Sequence, residues 1–93
     1  MNDIETTLKE RGARYGAFPE HARIAQNLKR AMHDTPNWDK LADSQKEALE
    51  MIQHKIARAL NGDPDYFDNW VDIEGYARLE RERLEKEAII PNE

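Results

Sequence analysis

Ser44-Gln-Lys-Glu47-Ala-Leu-Glu50-Met-Ile-Gln-His54-Lys-Ile-Ala-Arg58-Ala-Leu60 runs directly into Asn61-Gly62-Asp63-Pro64, and the reading of these residues decides the fold. Ser44 with Glu47 three positions later is a capping-box pattern, which satisfies backbone N–H groups that a first helical turn leaves unpaired. Asn61-Gly62 is a stop, because both residues tolerate the left-handed backbone that ends a helix. On a wheel of about 100° per residue, Ala48, Leu49, Ile52, Ile56, Ala59 and Leu60 share one arc. Glu47, Glu50, Met51, His54 and Arg58 share the other. The first arc is expected to face the core. Asp63-Pro64 reads as a cap and first-turn proline, so a second helix is expected from Pro64 to about Glu87. Its apolar stripe is Tyr66, Trp70, Ile73, Ala77 and Leu84. Two helices joined by so short a turn form an antiparallel hairpin.

Upstream, Asp3 to Arg11 is a helix candidate with Asn2 as its cap and Gly12 as its stop. Arg11-Gly-Ala-Arg14-Tyr15-Gly-Ala-Phe18 reads as a glycine-punctuated loop. Pro19 then opens a helix to about His33, with Ala22, Ile24, Ala25, Leu28 and Met32 facing inward. Asp34 to Asp39 reads as a loop, since Pro36 keeps its predecessor out of the helical region. Residues 78–87 alternate in charge sign, the pattern of a solvated helix end, and Ile89-Ile90-Pro91 is expected to dock or fray. No segment shows the period-two alternation of a strand. The expected fold is all-α: one helical domain over residues 1–93, a four-helix bundle-like unit with a hairpin in its C-terminal half.

Charged residues make up 35% of the 93 and apolar ones 39%, which leaves little for a deep core. A homo-oligomer is therefore expected, a dimer or a tetramer, burying Trp70 or the face around Gly75. With no cysteine there is neither a disulfide nor a zinc–thiolate site. The N-terminal residues lack the apolar core of a signal peptide, and no apolar run is long enough for a membrane span, so a cytoplasmic location is expected. A net charge of −5 argues against a duplex DNA partner, which demands a basic face. Small nucleotides stay open, because a carboxylate-held metal ion reverses the local sign.

Glu47 and Glu50 lie one turn apart, and eighteen residues separate Glu50 from Asn69-Trp-Val-Asp72, which Asp68 precedes. A hairpin brings these groups to neighbouring surfaces. Oxygen ligands converging from two helices are what Mg²⁺ requires, and the ion then binds phosphate oxygens and activates water. The same spacing of Glu47, Glu50, His54 and Arg58 also fits a plain solvated face, with opposite charges pairing across a turn. Gly75 in mid-helix costs about 1 kcal/mol relative to alanine, which points to a close neighbour, either a helix or a ligand.

The order Glu-x-x-Glu, a gap of about eighteen, then an acidic motif resembles the MazG-like all-α NTP pyrophosphatases. Their second motif is Glu-x-x-Asp. Residues 11–79 are also similar to small phage and prophage proteins of unassigned function. They share Tyr15-Gly-Ala-Phe18, the stretch from Glu47 to Arg58, Asn61-Gly-Asp-Pro64, and Asp72-Ile-Glu-Gly-Tyr76-Ala. The pyrophosphatase resemblance implies a Mg²⁺ site on Glu47, Glu50 and Asp72. Asn69 stands where the motif has glutamate, and Asp68 is the nearest replacement ligand.

Lys55 and Arg58 suit phosphate contact, as do Arg11 and Arg14, with Tyr15 for base stacking. The alternative is a surface pair and an ordinary loop, with Tyr15 and Phe18 anchored to the core. Tyr76, one turn after Asp72, suits a hydrogen bond to a carboxylate or sugar, or a half-buried core position. Trp38, Phe67 and Trp70 read as core or oligomer interface. His21 and His33 carry no readable signal. The resemblance thus implies a nucleotide-binding protein that hydrolyses a nucleoside triphosphate to monophosphate and pyrophosphate. The alternative is a non-catalytic accessory protein that sequesters a nucleotide or inhibits a host protein.

Overall fold

Four helices, α1 (Asp3–Tyr15), α2 (Phe18–His33), α3 (Asp43–Asn61) and α4 (Phe67–Ala88), make up the computed structural model, which describes residues 3–88. There is no strand among the described residues. α3 is central. α4 returns along it as the second arm of a hairpin, α2 packs along another side, and α1 packs against α2 and α3. Asn2 and the Ile89-Ile90-Pro91 ending lie outside the described residues.

Three of the departures from the expected helix boundaries have a clear local reason. α1 runs through Gly12 and stops at Gly16, whose φ of +80° is the left-handed conformation of a helix-ending glycine. The Gly16 N–H donates to the Gly12 carbonyl at 2.9 Å. α3 starts at Asp43 because the Gln45 side chain accepts the Ala42 N–H at 2.8 Å, taking the part assigned to Glu47. The Ser44 hydroxyl is turned instead to Glu80 of α4. α4 starts at Phe67, three residues later than Pro64, because Asp63 builds a turn. Its Oδ1 accepts the Asp65 N–H at 2.9 Å, and its carbonyl accepts the Tyr66 N–H at 3.2 Å.

The junction between α1 and α2 is seated against the turn between α3 and α4, backbone against backbone. Asn61 Nδ2 donates to the carbonyls of Tyr15 (2.8 Å) and Ala17 (3.0 Å), and the Asp63 N–H donates to that of Arg14 (2.7 Å). These bonds occupy carbonyls that the end of α1 leaves without helical partners. A Cβ on Gly16 would overlap Asn61, and one on Gly62 would overlap the backbone of Arg14 and Tyr15. Tyr15-Gly16 and Asn61-Gly62 are therefore two halves of one joint.

Among the described residues, Ala25 and Ala57 are the only buried apolar side chains. The α2 stripe is close to expectation, with His21 added at its start. The α3 arc is not. Gln53 and Ala57 are its buried residues, while Leu49, Ile56 and Leu60 are exposed. α2 and α4 approach α3 beside Glu50, His54 and Lys55, and they leave Leu49, Ile56 and Leu60 of the apolar strip exposed.

Candidate functional site

The joint between Gly16 and Gly62 fixes one end of α1 against α2 and α3, and a hollow of about 520 Å³ opens beside it. This lies within the size range of ligand pockets, roughly 300–1,000 Å³. α1 supplies Leu8, Arg11, Gly12 and Tyr15; α2 supplies Phe18 and His21; α3 supplies His54 and Arg58. No carboxylate lines it. α2 begins at the hollow without a side-chain cap on Ala17, so first-turn N–H donors and the positive helix end lie beside it.

At one edge two tyrosine rings lie between two arginines. The Arg58 guanidinium carbon is 4.0 Å from the Tyr15 ring centre, Tyr15 meets Tyr66 edge-on at 6.0 Å, and Arg14 lies 5.2 Å from the Tyr66 ring. Cation–π contact of this kind holds a guanidinium in place while its N–H groups stay available to an anion. Phe18 is 76% exposed, so its ring is not the core anchor expected from the sequence.

His21 and His54 meet edge to face at 4.7 Å. Burial, then the nearby charges of Arg58, His21, Lys55 and Lys29, push the His54 imidazole down to about 4. Burial and Arg58 lower His21 as well. Both rings are therefore held neutral at neutral pH, each with one N–H to donate and one nitrogen to accept. His21 is 7% exposed, and its Nδ1 has no hydrogen-bond partner. The missed signal was spacing: His21 opens the stripe that continues through Ala25, Leu28 and Met32.

The acidic residues are placed differently. Glu50 Oε2 is 2.9 Å from His33 Nε2, Asp72 Oδ2 is 3.1 Å from Lys55 Nζ, and Asp68 accepts the Tyr66 hydroxyl at 3.2 Å. Glu47 borders a separate shallow hollow with Tyr76. Among the described residues, no three histidine or acidic side chains gather so as to hold a metal ion. Asn69 is 1% exposed on the buried side of α4, so the position of the missing glutamate lies inside the protein. Glu47, Glu50, Asp68 and Asp72, as arranged, do not fit a Mg²⁺ centre. Of the residues expected to meet a substrate, Arg58 and Tyr15 line one pocket, with Arg14 on the adjoining ladder. Lys55 is held by Asp72, and Tyr76 stands apart.

Residues 2–84 match the model of one protein family, described as a domain of unknown function (DUF6378). No curated protein and no solved structure matches the chain.

Proposed function

We propose that this chain, which belongs to the DUF6378 family, binds a nucleoside phosphate in the hollow between α1, α2 and α3. The observation that carries the reading is the convergence of Arg58, Arg11, two neutral imidazoles and two aromatic rings on a pocket without a carboxylate. Guanidinium and helix-start N–H groups favour phosphate oxygens, and the exposed Phe18 ring offers a stacking surface for a base. Gly12 borders the pocket with open space where a Cβ would stand, so a ligand has clearance there.

Of the two functions weighed from the sequence, binding without turnover is favoured. Hydrolysis of the MazG type runs through Mg²⁺ on clustered carboxylates, whereas here Glu50 and Asp72 have separate cationic or imidazole partners. The same pocket serves sequestration of a nucleotide, whether in a phage-type accessory protein or elsewhere.

Thermal shift with a panel of nucleoside mono-, di- and triphosphates in EDTA tests the reading. At least one is expected to raise the melting temperature. Phe18→Ala is expected to weaken its binding about 5- to 100-fold, the usual range for a lost base–aromatic stack, while leaving stability nearly unchanged. Gly12→Ala is expected to stabilise the free protein by about 0.5–1 kcal/mol and yet weaken the ligand, because the new methyl group occupies its clearance. Release of pyrophosphate that depends on Mg²⁺ and disappears in Glu50→Gln would return the pyrophosphatase reading to first place.

A further inference from the structure

α2 and α4 both pack on α3, and one face of these three helices is apolar. Leu49, Ile52 and Ile56 follow at i, i+3 and i+7 on α3, while Trp70, Ala77 and Leu84 recur every seventh residue on α4. This a/d-type spacing is that of a seam between helices. Leu41, Leu49, Ile52, Ala77 and Leu84 line one open groove along it. Leu49 is 42% exposed, Ile56 38% and Trp70 54%, so the seam has no partner among the described residues. A stable domain needs packed layers around a core, and on this face no second layer among the described residues covers Leu49, Ile56 or Trp70.

We infer that a second copy of this chain lies on that face, hairpin against hairpin. The area supports it. The chain exposes 7,045 Å², against about 5,600 Å² for a compact monomer of its mass. Its radius of gyration is 16.3 Å, where about 12 Å is usual for its length. An excess on the order of 1,400 Å² over the whole chain, doubled across a two-fold, is enough to accommodate an obligate homodimer interface. The rim supports it too. Glu80 pairs with Arg83 and Arg81 with Glu85 within the chain, so the face calls for no partner of opposite charge. It calls for apolar surface, which a second copy presents in the same a/d pattern.

Sedimentation equilibrium of the wild-type chain at low micromolar concentration is expected to give twice 10.9 kDa, with a melting temperature that rises with protein concentration. Ile56→Lys is expected to weaken the dimer roughly 100-fold or more, since a two-fold interface contains the change twice. Gly75→Glu, on the other side of α4, is expected to leave the mass unchanged. A wild-type chain that is folded and monomeric overturns the inference whatever the variants do. So does a dimer that survives Ile56→Lys or dissociates with Gly75→Glu.

Discussion

Gly62→Ala is expected to destabilise the protein by about 3 kcal/mol or more, which for a domain of this size lowers the melting temperature by roughly 12 °C or more. A methyl group there overlaps the Arg14 carbonyl and the Tyr15 backbone, and backbone cannot swing aside as a side chain can. Moving the turn away also strains the Asp63-to-Arg14 bond and both Asn61 bonds, which leaves carbonyls at the end of α1 unsatisfied. Gly16→Ala is expected to be comparably severe, since overlap with Asn61 adds to a φ of +80°. Gly75→Ala supplies the contrast. Nothing stands within 4 Å of its added Cβ, so the better helix former is expected to stabilise the chain by about 0.5–1 kcal/mol. Urea or thermal denaturation of the three variants measures all three effects. Equal losses at Gly62 and Gly75 would contradict the description of the joint.

Acidification from about pH 7.5 to about pH 5 is expected to cost roughly 1–2 kcal/mol through His54, after allowing for solvent screening, with a further loss from His21. The folded-state His54 value, about 4, lies below the ordinary 6.5. Between those values the unfolded chain binds the proton that the folded chain refuses. Stability is therefore fully present above pH 6.5 and falls as pH drops toward 4. The groups facing this imidazole are Arg58 and Lys55 on its own helix and His21 and Lys29 on α2. All of them oppose its protonation. His54→Gln is expected to flatten the slope of melting temperature against pH over this range. An unchanged slope in that variant would place the acid sensitivity elsewhere.

The sequence made the fold class legible because its punctuation is local. The length of α3 follows from the residues around Ser44 and from Asn61-Gly62, and the hairpin follows from the turn between them. One stop and one start were misplaced because glycine and proline have more than one use. Gly12 is accommodated within α1, and Gly16 takes the left-handed backbone that ends it. Pro64 sits in an aspartate-organised turn before its helix rather than inside the first turn. The α3 apolar arc was expected to face the core, yet Leu49, Ile56 and Leu60 are exposed while Gln53 and Ala57 are buried. Periodicity shows which face avoids water, and only packing shows whether the same chain covers it.

Less of the candidate site was readable. Tyr15, Arg14 and Arg58 were identified by chemical type, but the pocket that unites Tyr15 and Arg58 depends on a contact between residues more than forty positions apart. The imidazole pair has the same origin, since His21 and His54 come from different helices. The acidic pattern was plain in the sequence, yet each residue's partner depends on its neighbouring helix. His33 reaches Glu50 from α2, and Lys55 meets Asp72 across the hairpin.

Calorimetric titration of a nucleoside triphosphate into the wild-type protein and Arg58→Gln, both in EDTA, tests the central claim most directly. The wild-type protein is expected to bind without metal. Arg58→Gln is expected to bind at least about 10-fold more weakly, as loss of a charge-assisted phosphate contact entails. A contradictory result is binding seen only with Mg²⁺, abolished by Glu50→Gln or Asp72→Asn and indifferent to Arg58→Gln.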